Sequence, residues 1–295
     1  MSKLKTFTLK KPLLFSILLM TFALIFFYMP TEKLFLPFYD LQYATFLGEL
    51  CNKVMVSIIL ILILVKLDFT KRIGLTTFEI RGKDWFIAWP AAIIILIGLL
   101  PLIVGSLTID ISKPNVVGVF VLMNFFIGLS EELLVRGVIL SVLLIKWGNT
   151  KKGIFLSVIV SSVIFGTAHL GNMIGNTGFL VATISQVVYA TLIGIFFAAC
   201  VLRSQTIWPA IIIHAAIDFA SQLQQIAVGG GVEAARQVTA SISLSQAFLP
   251  VIIYANLAGY GFFILKKVTP ATVKSRFDSY IKTMGLGTEQ TNILG

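Results

Sequence analysis

Four groups of ionisable side chains in this chain are of the types and spacings that do proton-transfer chemistry. Glu131, Glu132 and Arg136 form Glu-Glu-x-x-x-Arg, His169 closes Phe165-x-x-x-His169, and His214 opens His214-x-x-x-Asp218. Glu49 and Lys53 stand four residues apart upstream. On a helix, Glu132 and Arg136 share a face and can neutralise each other. Glu131 is rotated by about 100° from its neighbour, which leaves it without that partner and suits it to general-base work. The alternative is a structural ion-pair cluster tying two helices together. His169 and His214 are the only histidines in the chain, and imidazole exchanges protons near neutrality. Asp218, one turn after His214, can accept a hydrogen bond from that ring and set its tautomer. Phe165, one turn before His169, is expected to pack. Glu49 and Lys53 are most simply a local ion pair with both ends reaching the interface.

These groups lie in an unusually apolar chain. Of 295 residues, 57% are hydrophobic and 12% charged, and mean hydropathy is +0.96. An ordinary soluble domain carries about 25% charge, so that class is excluded, as are disorder, collagen and a disulfide scaffold. Eight apolar runs, about 12–29, 46–65, 85–105, 116–146, 153–170, 178–201, 205–222 and 246–265, predict an all-α, polytopic membrane protein with about eight transmembrane helices. No second domain is visible. We read residues 1–295 as a single membrane domain, with the motifs in a core at about 116–222 and a polar cytoplasmic tail at 268–295. All four motif groups therefore fall inside spans, where ionisable residues are expensive and mark function by default.

Spacing bears on whether the groups meet. The turn between the fourth and fifth runs centres near Thr150, with Glu131 and His169 each nineteen residues away. An antiparallel hairpin places them at one level. His214, eleven residues after Arg203, would sit nearer the cytoplasmic side in a straight helix, so a tilt or break must close the gap. The fourth run, 31 residues long, would extend about 46 Å as a helix against a bilayer core of about 30 Å. It must tilt, break or project. Cys51 and Cys200 lie in apolar runs and are expected as core residues. The first run has a basic flank but no small-x-small site before Pro30, which predicts an uncleaved first span.

The three motifs, in this order and all within spans, resemble the CAAX protease and bacteriocin-processing family of intramembrane proteases, also called the Abi family. The likeness covers Ser130 to Phe219 and includes Gly137, after the arginine. It implies an eight-helix fold and peptide-bond hydrolysis in the membrane. Carried over by position, Glu131 and His169 would activate water, and His214 with Asp218 would bind the developing oxyanion. Glu132 and Arg136 would support Glu131. The eukaryotic prenyl-protein endoproteases of the family carry Asn where this chain has Asp218, and an ionised Asp cannot donate to an oxyanion. Asp218 is therefore expected to orient His214. Zinc on Glu131, His169 and His214, with Asp218 near, would be a plausible nitrogen and oxygen set. His-Glu-x-x-His is absent, however, and the expectation is that no cofactor is required.

The sequence thus points to a multi-pass hydrolase of a bacterial plasma membrane. Its expected partners are the bilayer and a membrane-embedded or lipidated peptide or protein substrate, with no nucleic acid. Rival readings are a peptide-binding immunity or scaffold protein, and a proton-coupled transporter relaying through Glu131, His169 and Asp218. The net charge of +10 is mostly a topology signal. With the N-terminus inside, eighteen Lys and Arg fall in cytoplasmic segments and three (Lys33, Lys113 and Arg236) outside, as the positive-inside rule requires. Both termini are therefore expected in the cytoplasm and Gly229-Gly230-Gly231 outside. Reporter fusions at each terminus should be active only as cytoplasmic reporters, and an external terminus would refute this topology.

Overall fold

The computed structural model describes residues 3–76, 85–174 and 177–283. Arg81 and Lys83, counted above as cytoplasmic, and residues 284–295 of the expected tail lie outside them. Each expected apolar run is helical: α2 (Pro12–Phe27), α3 (Leu41–Leu67), α4 (Pro90–Ile103) and α5 (Pro114–Glu132), then α7 (Lys151–Ala168), α8 (Leu180–Ser204), α9 (Trp208–Ser221) and α11 (Leu244–Leu265). Between α5 and α7 the fourth run continues through a π-helical segment, Leu133–Ile139, into α6 (Leu140–Trp147). Shorter helices are α1 (Lys3–Lys10), α10 (Val232–Ala240) and α12 (Pro270–Thr283).

The starts follow from local chemistry. Proline opens α2, α4, α5 and α9, where its missing N–H loses nothing. The side chains of Asp40, Thr150 and Ser243 accept from the backbone N–H of Tyr43, Gly153 and Gln246 and so cap α3, α7 and α11.

The chain is a polytopic helical membrane protein, with six helices long and apolar enough to cross a bilayer among the described residues. The expected count of eight is reached only by including α4 and α9, which have 14 residues each against the roughly 20 that a span needs. The shortness of α9 has a visible cause. In the turn before it Ser204, Thr206 and Ile207 are buried, with Thr206 Oγ1 donating to Gly74 O at 3.2 Å and Trp208 Nε1 to Leu75 O at 3.1 Å. The helix therefore starts inside the body, which closes the gap in level expected for His214. The over-long fourth run is interrupted by its π segment, where hydrogen bonds run i→i+5.

α8 is central, packed by α7 and α11, while α5 lies between α3 and α9. The larger apolar core surrounds the π segment, the second half of α3, and much of α7 and α8, and a smaller one gathers Phe46, Phe120, Met123 and Ile226. Two glycines set the close approaches beside the motifs. A Cβ on Gly128 would lie 2.9 Å from Ile211 O and Ala215 N, and one on Gly166 2.5 Å from Val187 O. Small residues admit such backbone contact between membrane helices.

One expectation needs correction. Cys200 is buried, but Cys51 is exposed on α3, because an apolar residue facing lipid needs no burial in protein. Within the expected polar tail, the described part includes α12, which buries Val273, Phe277 and Tyr280, and the last two set their rings against Phe69 at 6.0 and 5.3 Å.

Gly128 tests the α5–α9 contact. Gly128→Ala forces backbone apart rather than a side chain, and such overpacking costs about 1–3 kcal/mol. The purified variant should melt several degrees lower in detergent, and an unchanged melting temperature would refute the contact.

Candidate active site

The ends of α2, α5, α7 and α9 and the middle of α3 enclose a cavity of about 290 Å³. Glu131, His169, His214 and Asp218 all line it. The motifs that the sequence spreads over 88 positions, Glu131 to Asp218, thus meet in one place, and Glu131 and His169 share a level as the hairpin spacing predicts.

Beneath this cavity lies a buried chain of charge. Arg136 is 1% exposed and Glu132 0%. Arg136 Nη1 donates to Glu132 Oε1 at 2.7 Å, and Nη2 to Gly194 O at 3.2 Å. The guanidinium also lies 4.8 Å from the Phe165 ring centre and 5.4 Å from that of Phe197. The same Glu132 oxygen accepts from His214 Nδ1 at 2.8 Å, and Phe197 stacks on the His214 ring at 5.3 Å. Glu132 and Arg136 therefore brace His214, and not Glu131 as the family likeness had implied. The rotation between adjacent helical residues sends the two glutamates to different neighbours. It is also Glu132, rather than Asp218, that holds Nδ1. Asp218 Oδ2 sits 3.5 Å from Nε2 instead, on the cavity side, where Glu131 Oε2 is 3.7 Å away.

Glu131 is not without a partner. Lys53 reaches across from α3 to place Nζ 3.3 Å from Glu131 Oε1, with its ammonium 3.7 Å above the Phe27 ring. The expected local pair of Glu49 with Lys53 is replaced by this tertiary one. A cation that is 6% exposed gains more from a facing carboxylate and an aromatic face than from a side chain on its own helix. Glu49 lines the same cavity. His169 caps α7, its Nδ1 3.0 Å from Phe165 O. A carbonyl only accepts, so Nδ1 carries the proton and Nε2 is left as an acceptor. Phe165 does pack: its ring stands edge-on to His169 at 5.0 Å and to His214 at 5.9 Å.

Among the described residues no three His, Cys, Asp or Glu are arranged to hold a metal ion, and the Lys53 ammonium already lies against Glu131.

Sequence reasoning missed Lys53 as a site residue. Its signal was a charge inside a span, which the glutamate four residues earlier was enough to explain away.

Fold and cavity together define a helical membrane protein with a carboxylate and imidazole site enclosed among its spans. Residues 113–220 match the model of a family described as type II CAAX prenyl endopeptidase Rce1-like, which bears out the resemblance read from the motifs. The matched stretch, similar to a CAAX-type membrane protease family, contains every motif residue, whereas Lys53 and Glu49 lie before it. No curated protein and no solved structure matches the chain.

The two glutamates should separate by their partners. Glu132→Gln leaves a buried guanidinium unpaired, a loss of about 3–5 kcal/mol, and should sharply lower the folded yield. Glu131→Gln, at the cavity wall, should leave most of the protein folded but inactive. Equal folded yields by size-exclusion chromatography would refute this division.

Proposed function

We propose that this chain is an intramembrane endopeptidase that hydrolyses a peptide bond of a membrane-associated or lipidated peptide or protein. The observation that carries the reading is the convergence of Glu131, His169, His214 and Asp218 on one cavity, with His214 locked by buried Glu132. In this mechanism a water between Glu131 and His169 Nε2 attacks the carbonyl carbon of the scissile bond. Glu131 takes the proton of that water, and His169 aligns its second hydrogen. The ammonium of Lys53 holds Glu131 in place. The carbonyl oxygen becomes an oxyanion. His214, donating to Glu132 through Nδ1, presents Nε2–H to that oxygen when both ring nitrogens carry protons, and Asp218 balances the resulting cation. Collapse of the tetrahedral adduct breaks the C–N bond, and the proton held by Glu131 passes to the leaving amine. Enclosure among apolar helices strengthens each of these interactions.

No metal takes part in this scheme, and support for that comes from Lys53, whose ammonium lies 3.3 Å from the Glu131 oxygen that would otherwise ligate an ion. A binding or immunity protein has no use for a base, a locked imidazole and a charge partner in one cavity.

Activity should survive exhaustive chelation. His214→Ala should lower the rate roughly 10²–10³-fold, as loss of one oxyanion donor does, without changing metal content. The readout is the set of membrane peptides that accumulate in cells carrying Glu131→Ala, followed by turnover of one of them in proteoliposomes. Stoichiometric zinc whose removal reversibly abolishes turnover would overturn the metal-free step.

A further inference from the structure

The helix ends sort into two faces of opposite character. On one face meet α1, the segment 68–75, the turns at 148–150 and 204–207, and α12. Their contacts are direct: Lys151 Nζ donates to Lys266 O, Arg276 Nε to Arg72 O, and Thr206 to Gly74. On the other face Tyr28 OH donates to Asn172 Oδ1 at 2.7 Å, Gln42 Nε2 to Gln225 O at 2.7 Å, and Val228 N to Thr108 O at 2.8 Å. Among the described residues, the first face holds sixteen of the eighteen Lys and Arg assigned to the cytoplasm, and the second holds Lys33, Lys113 and Arg236.

The catalytic cavity is not midway between these faces. His169 ends its helix, Asp218 is three residues from the end of α9, and Glu49 is eight from the start of α3. All three lie toward the face poor in basic residues. The cavity rim there is made of Tyr28, Asn172, Gln186 and Gln222, with Asn172 Nδ2 donating to Gln186 Oε1 at 2.7 Å. Toward the basic face the floor is closed. Val138, Ile139, Leu143, Ile154 and Val158 below it are each at most 1% exposed.

We infer that the site is loaded from the face opposite the chain termini, which the charge asymmetry makes the non-cytoplasmic side. The substrate class is then a membrane-anchored peptide whose cleavable segment is exposed on that side, and not a lipidated C-terminus offered from the cytoplasm. The rim of hydroxyl and amide groups suits an extended, uncharged backbone, since each can donate and accept. The inference rests on the protease reading for its substrate, but its geometry is independent of it.

Two measurements separate these. In a Cys51→Ser background, single cysteines at Gln186 and Lys152 are treated with a small membrane-impermeant thiosulfonate. The Gln186→Cys protein should react in intact cells, and Lys152→Cys only after permeabilisation. Ile174→Cys, exposed beside the rim, replaces Gln186→Cys if that variant folds poorly. Separately, a membrane-tethered reporter carries one cleavable stretch, taken from a peptide that accumulates in Glu131→Ala cells, in either orientation. Glu131-dependent cleavage of the exported orientation alone is expected. Labelling at the rim only after permeabilisation, or cleavage only of the cytoplasmic orientation, would overturn the inference. Cleavage in neither orientation counts against the protease reading, while the labelling still decides the side.

Discussion

A guanidinium that keeps its charge under all ordinary conditions lies within an apolar body, and much of the structure answers to it. Arg136 requires a carboxylate, supplied by Glu132 one turn away, and aromatic faces, supplied by Phe165 and Phe197. Because Glu132 is fixed by this demand, the imidazole that shares its oxygen is fixed too. Orientation of His214 is thus a by-product of satisfying a buried charge. Had Glu132 only a histidine to bind, its rotamer would be far less constrained.

The same logic divides the molecule. Below the Arg136 cluster the helices interlock into an apolar core that includes the π segment and the middle of α8. Above it, the carboxylates of Glu49, Glu131 and Asp218 and the Lys53 ammonium surround open space. Positive charge in the lower half is structural and sealed, whereas in the upper half it faces the cavity. Two cations of similar formal charge therefore do different work. The forked guanidinium holds several partners at once, and the single ammonium sets the field at one carboxylate.

Much of this was legible in the sequence. The helical runs, the sharing of one site by Glu131 and His169, and the packing role of Phe165 followed from hydropathy, equidistance from Thr150 and helical spacing. The partners of the two glutamates were not legible. A helical wheel shows that Glu131 and Glu132 diverge, but not which neighbouring helices stand in each direction. Lys53 was hidden for a related reason: a plausible partner four residues away concealed a better one 78 positions later. The short α9 and its sunken turn depend on contacts with Gly74 and Leu75, which no local pattern records. Long-range pairing is the information that periodicity lacks.

The π segment gives the long fourth helix a phase slip. α5 and α6 are two α-helical registers joined by seven residues that do not belong wholly to either. Each residue contributes about 100° of rotation in an α-helix, so deleting one residue between Leu133 and Ile139 would do more than shorten the rod. It would turn Glu131 and Glu132 by about that angle relative to every side chain of α6. The cavity-lining half and the anchoring half of this helix are keyed to each other as a lock barrel is to its housing, and the segment is the notch that sets their angle.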